Sequence, residues 1–177
     1  MKMLIVSALV CAMMVLTRAA APPEETSQSG QKESHLVKRW IVVRRVCPWG
    51  WSFLGGRCYR YVPTLMTWAR AERYCQALGG NLASAHNYRQ YYWIQRMILS
   101  ATHSYRQAWI GGSDAQQEHY WLWSDGTSFN YRRWCRGEPN NHGGRQHCIQ
   151  MNYSAGRCWD DLQCFSLLPS VCARKRR

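Results

Sequence analysis

The spacing of apolar residues changes several times along the chain, and each change predicts a different element. Met3 to Leu16 is apolar apart from Ser7, with Met1-Lys2 before it and Ala19-Ala20-Ala21 after it. A basic start, an apolar core and small exit residues form the layout of a cleaved secretory signal, and the run is too short and poorly flanked for a bilayer span. Residues 1–20 are read as that signal. Residues 21–46 follow as a disordered linker or pro-segment, because Pro22 to Gly30 is polar and shows no apolar period. Lys38-Arg39 is a candidate dibasic processing site within it. No second apolar run is long enough for a transmembrane anchor, so a secreted, extracellular product is expected.

From Cys47 the pattern becomes aromatic-rich and punctuated by glycine. Cys47 to Val62 predicts two short strands around Gly55-Gly56, since glycine permits the turn and aromatics suit a pleated, half-buried surface. Trp68, Ala71, Cys75 and Leu78 then repeat at helical spacing behind Thr67, a cap residue, and Gly79-Gly80 ends the helix. Asn87 caps a second helix in which Tyr91, Ile94 and Ile98 share one face, with Met97 alongside. Both stripes are core. Beyond Trp109 the helical period stops, and short strand candidates lie at Trp109 to Gly111, Tyr120 to Trp123, Cys148 to Met151, Cys158-Trp159 and Ser170 to Ala173. Between them, Ser124 to Gln146 is long and irregular, a length that ordinarily has a functional or metal-bound cause. The fold class is α+β, with the domain at residues 47–173 and a basic tail at 174–177.

Composition then narrows the chemistry. Of nine cysteines, Cys11 leaves with the signal, and the even remainder in an exported chain reads as a disulfide framework. Those eight are Cys47, Cys58, Cys75, Cys135, Cys148, Cys158, Cys164 and Cys172. Structural zinc wants tight Cys-x-x-Cys pairs, and there are none. Eight cysteines pair in about 105 ways, so spacing alone leaves connectivity open. The net charge of +13 is uneven: twelve arginines face seven acids between Cys47 and Cys172, which puts about +5 on the domain and +8 on its flanks. Export argues against a nucleic-acid partner for the basic tail.

Five oxygen-bearing side chains frame the irregular stretch: Glu138 and Asn140 around Pro139, Gln146 just before Cys148, and Asp160-Asp161 just after Trp159. An X–Pro bond adopts cis at small cost, and a cis bond here turns Glu138 and Asn140 toward one point. Oxygen suits a hard cation such as Ca2+, which takes about 6–8 ligands. Five side chains and one carbonyl leave room for two neighbouring sugar hydroxyls. Carboxylates accept hydrogen bonds from those hydroxyls and amides donate to them, so Glu138, Asn140, Gln146 and Asp160 are the candidate sugar contacts.

With these residues in view, the chain resembles the C-type lectin-like family from Cys47 to Cys172. The resemblance is carried by Trp109-Ile110-Gly111-Gly112, Trp123-Ser124-Asp125-Gly126, Trp134 with Gly137-Glu138-Pro139-Asn140, and Trp159-Asp160-Asp161. Within the family it is similar to fish secreted lectins of the lactose-binding, ladderlectin and nattectin type, akin to type II antifreeze proteins. The resemblance implies two helices flanking short antiparallel sheets, and the pairs Cys47–Cys58, Cys75–Cys172, Cys148–Cys164 and Cys135–Cys158. It also implies a secreted, calcium-dependent lectin with glycan ligands, microbial surface glycans among them. Glu-Pro-Asn implies mannose-type sugars, yet family members with that tripeptide usually carry Glu and Asn where this chain has Gln146 and Asp160. The charge is unchanged and two hydrogen-bond directions reverse. The expected preference is mannose-type over galactose-type. At the family's auxiliary calcium site Asp114 and Glu118 match, whereas Asn141 and His147 replace the other acids, so one functional calcium is expected.

Catalysis is not expected, because no Gly-x-Ser-x-Gly or comparable nucleophile, base and orienter set occurs. Ice binding and a calcium-independent interaction module remain alternatives on the same fold. Asn152-Tyr153-Ser154 is a glycosylation sequon. Homo-oligomerisation would raise avidity at a shallow site, although the linker shows no heptad seam.

Overall fold

A computed structural model of the chain describes residues 47–176. The expected signal at 1–20, the expected linker at 21–46 and Lys38-Arg39 within it lie outside the described residues. Eight strands and two helices run in the order β1 (Ser52–Leu54), β2 (Arg57–Met66), α1 (Trp68–Ala77), β3 (Asn81–Leu82), α2 (Tyr88–Thr102), β4 (Ala108–Ser113), β5 (Leu122–Trp123), β6 (Cys148–Tyr153), β7 (Cys158–Leu162) and β8 (Leu168–Lys175). The class is α+β, as expected.

Both helices start where the caps predict. The Thr67 hydroxyl accepts from the Arg70 N–H and the Asn87 side chain from the Gln90 N–H, each satisfying an N–H that has no carbonyl four residues back. Gly79 takes a left-handed φ of 77° past the end of α1, and the Arg174 guanidinium donates to the Leu78 carbonyl at 3.0 Å. That bond corrects the tail boundary. Arg174 and Lys175 are not a free tail but the end of β8, paired with Cys58 and Arg57 of β2.

The sheet also differs from expectation. The strands join into one sheet in the order β1-β2-β8-β4-β6-β7, with β3 on β8 and β5 on β4. The short antiparallel sheets merge because β4 meets β8 in a parallel bridge at Trp109 and Ser170. A parallel pair joins segments far apart in sequence, so no local pattern announces it. Strand β2 runs past Val62 to Met66 through an irregularity where Pro63, which has no N–H to donate, faces the stretch of β8 containing Pro169. β3 is two residues long and carries no period.

Four disulfides close Cys47–Cys58, Cys75–Cys172, Cys135–Cys158 and Cys148–Cys164. Cys75–Cys172 ties α1 to β8 across 97 residues, worth about 4–5 kcal/mol in the loop-entropy picture. Two acids that the sequence leaves without a role hold the layers together. Buried Glu72 on α1 accepts from the Gln76 and Asn81 amides, the Leu82 N–H and the Ser124 hydroxyl, at 2.6–2.9 Å. Asp125, whose side chain is 3% exposed, accepts from Arg57 and Ser84, both at 2.7 Å, and from Thr127. Ser124 and Asp125 of the Trp-Ser-Asp-Gly motif are therefore structural.

Burial pushes the Asp125 pKa up, but donors from Thr127, Ser84 and Arg57 outweigh it, and the value lies below the usual aspartate range. A group depressed on folding stabilises above its unfolded pKa and loses that contribution as pH falls through the folded value. Asp125→Ala is expected to cost about 2–4 kcal/mol at pH 7, since it strands a half-buried guanidinium. The deficit shrinks once the pH falls below about 4, the ordinary aspartate value. Denaturant unfolding of both proteins at neutral and acid pH reads this directly.

Candidate functional site

The site grows out of the β6–β7 hairpin. In its register Gln150 faces Asp160 and Ile149 faces Asp161. Trp159, immediately before the two acids, is fully buried, with the rings of Tyr91, Trp123, Phe129, Tyr131 and Trp134 at 5.6–6.0 Å, mostly edge-to-face. Such pairs add about 0.5–1.5 kcal/mol each beyond area burial, so Trp159 anchors the stretch of β7 that presents the acids. The long loop docks on that anchor. Cys135 N–H donates to the Trp159 carbonyl and Trp159 N–H to Arg133, and the Cys135–Cys158 bridge closes the same corner. Three residues after Cys135 the Glu138–Pro139 peptide bond is cis.

Glu138, Asp160 and Asp161 converge there. One carboxylate oxygen from each lies within 4.8 Å of the others. Asp161 is fully buried and accepts from the Asn140 and Asn141 backbone N–H groups at 3.0 and 2.7 Å, which pins the loop to β7. Gln150 Nε2 donates to Asp160 Oδ2 at 2.6 Å and so orients that carboxylate. Glu138 Oε2 is buried with no hydrogen-bond partner. Among the described residues no lysine, arginine or histidine forms an ion pair with any of the three. Burial, then the neighbouring Asp160 and Asp161, pushes the Glu138 carboxyl up to about 7. Burial also raises Asp160, against the pull of Gln150.

The two amides are arranged differently. Asn140 Oδ1 and Gln146 Oε1 both accept from the His142 N–H, at 2.8 and 2.6 Å. They are gathered to one point, but that point is a backbone N–H at the loop tip, which needs an acceptor. Asn140 joins the carboxylates through its own N–H on Asp161. The donor set fits a hard divalent cation: three converging carboxylates, one of them with an orphaned oxygen, and two amide oxygens on the adjoining loop.

At the expected auxiliary position, Asn141 Nδ2 donates to Glu118 at 2.7 Å and His147 Nδ1 lies 3.1 Å from Asp114 Oδ1. The two replacement residues thus face the two acids.

The comparisons with known proteins agree with this architecture. The Lectin C-type domain family matches residues 64–174. Ladderlectin of Oncorhynchus mykiss is 40% identical over 182 residues, covering 99% of this chain and 95% of that protein. This chain belongs to the C-type lectin domain family. The galactose-specific lectin nattectin of Thalassophryne nattereri is 41% identical over 75% of this chain and 85% of its own length. Among solved structures, herring type II antifreeze protein superposes with a TM-score of 0.70 at 35% identity, over 74% of this chain and all of that one. The family and these relatives carry lectin and antifreeze names, none of them an enzyme's.

Two site readings need amendment. Gln150 holds Asp160 and was missed; its only sequence signal is a polar residue between Ile149 and Met151 in an apolar strand. The sequon at Asn152 is corrected by packing. Asn152 is buried, its Nδ2 donates to the Arg106 carbonyl at 2.9 Å, and its Oδ1 accepts from Gln95. A glycan on that nitrogen is incompatible with this arrangement.

A cation held by the carboxylate cluster stabilises the folded chain by mass action, about 2.7 kcal/mol at a hundredfold its Kd. Thermal unfolding in calcium against chelator is expected to show that rise, and Asp161→Asn is expected to abolish it. An identical shift in the variant would place the ion elsewhere.

Proposed function

We propose that this domain is a secreted, calcium-dependent carbohydrate-binding lectin whose ion is held by Glu138, Asn140, Gln146, Asp160 and Asp161. The observation that carries the reading is the cluster of Glu138, Asp160 and Asp161, which has no basic partner among the described residues. Bound there, calcium would supply open coordination positions for two neighbouring sugar hydroxyls. The protein's part is to aim the hydrogen bonds. Glu138 and Asp160 accept from hydroxyls, with Asp160 oriented by Gln150. Asn140 and Gln146 contribute amide donors. Export is supported by the apolar leader at Met3 to Leu16, and no helix among the described residues is long and apolar enough to cross a membrane. Glycans of microbial surfaces are the class of ligand this reading favours.

The sugar preference we assign is mannose-type, on the Glu138-Pro139-Asn140 order and the absence of an aromatic residue directly after it. The galactose specificity in nattectin's name makes galactose the competing sugar. Binding to immobilised mannan is expected to require calcium, to be released by chelator, and to be inhibited by mannose more strongly than by galactose. Inhibition by galactose alone would overturn the preference. Retention of Asp161→Ala on the column would overturn the calcium mechanism and favour a calcium-independent module.

The likeness to herring antifreeze protein supports a second reading on the same fold, ice binding. Thermal hysteresis with ice-crystal shaping, and no retention on any glycan column, is the outcome that selects it.

A further inference from the structure

A second group of side chains of metal-ligand type is bonded to Asn141, which also reaches the carboxylate cluster. Asp114 follows β4, Glu118 and His119 sit in the turn after it, and His147 leads into β6. One ligand atom each from Asp114, Glu118 and His119 lies within 4.8 Å of the others. His147 Nδ1 faces the two acids, 3.1 Å from Asp114 Oδ1 and 3.5 Å from Glu118 Oε2, while His119 Nδ1 is 3.5 Å from Glu118 Oε1.

We propose that Asp114, Glu118, His119 and His147 form a binding site for a zinc-class divalent cation, built where the family pattern calls for oxygen ligands to calcium. The donor types decide the metal class. Two imidazoles and two carboxylates match zinc, whereas calcium takes oxygen almost exclusively. The spacing agrees. Zinc bonds of about 2.1 Å need the ligand atoms drawn to within about 3.4 Å of one another, and the two imidazoles stand 3.1–3.5 Å from the carboxylates they face, one on each oxygen of Glu118.

The frame is already rigid. Asp114 N–H donates to the His147 carbonyl at 3.1 Å, and His147 N–H donates to Leu162 at 3.2 Å. The His119 N–H holds Asp114 Oδ2 at 2.9 Å, so Oδ1 faces the imidazole. The Asp114 side chain is 1% exposed and no lysine or arginine pairs with it among the described residues, so a histidine ring is what faces its charge. The Glu118 side chain is 39% exposed and that of His119 76%, which leaves the solvent side open for entry.

The site is separate in its ligands from the proposed calcium cluster, and the inference does not rest on sugar binding. Asn141 links the two groups, its Nδ2 donating to Glu118 and its N–H to Asp161, and Gln146 and His147 are chain neighbours.

Titration of zinc chloride into the full, oxidised, chelator-stripped chain is expected to give a single stoichiometric step. That step is expected to survive excess calcium and to persist in Asp161→Asn. His147→Ala and the exposed His119→Ala are each expected to weaken it by about tenfold or more. Cobalt in place of zinc is expected to show the intense visible absorption of a tetrahedral site. Absence of a stoichiometric step, a step unchanged in both histidine variants, or loss of the step in Asp161→Asn would overturn the proposal. So would displacement by calcium.

Discussion

Three carboxylates brought together, with no basic side chain paired to them among the described residues, is the constraint around which this domain is arranged. Glu138, Asp160 and Asp161 repel one another when ionised, and burial sharpens the repulsion. A loop left to itself would splay them apart. Here the caged Trp159 fixes β7, the Cys135–Cys158 bridge fixes the loop to that strand, and Asp161 accepts two N–H groups from the loop itself. Packing energy from the aromatic cluster thus holds an arrangement that electrostatics alone opposes. The orphaned Glu138 oxygen is the point at which that opposition stays unrelieved.

The helices and their caps were legible because they are local: Thr67, Asn87 and Gly79 act within four residues of where they stand. The resemblance supplied the disulfide scheme, which spacing could not. What escaped is non-local. The bridge from Trp109 to Ser170, the two-residue β3 and the use of Arg174 as a cap on α1 join segments far apart in the chain. The same holds at the site. Gln150 reaches Asp160 across a hairpin register, and Asn152 reads as an exposed sequon until Gln95 and Arg106 are seen around it.

The amides show where pattern and geometry part. Type and position nominate Asn140 and Gln146 beside the carboxylates, yet their oxygens meet at the His142 N–H. The acid–amide exchange at Gln146 and Asp160 sharpens the point. It preserves charge, and Gln150 donates to the acid at position 160. Glu118, Asn141 and Asp161 then form a continuous chain of hydrogen bonds from one candidate metal group to the other.

The most direct test is a crystal structure grown with calcium and mannose. The account predicts one ion bonded to Glu138, Asn140, Gln146, Asp160 and Asp161 at about 2.3–2.6 Å, with two sugar hydroxyls completing its shell. An ion bound elsewhere, or a calcium-saturated crystal in which these five side chains bind nothing, would contradict it.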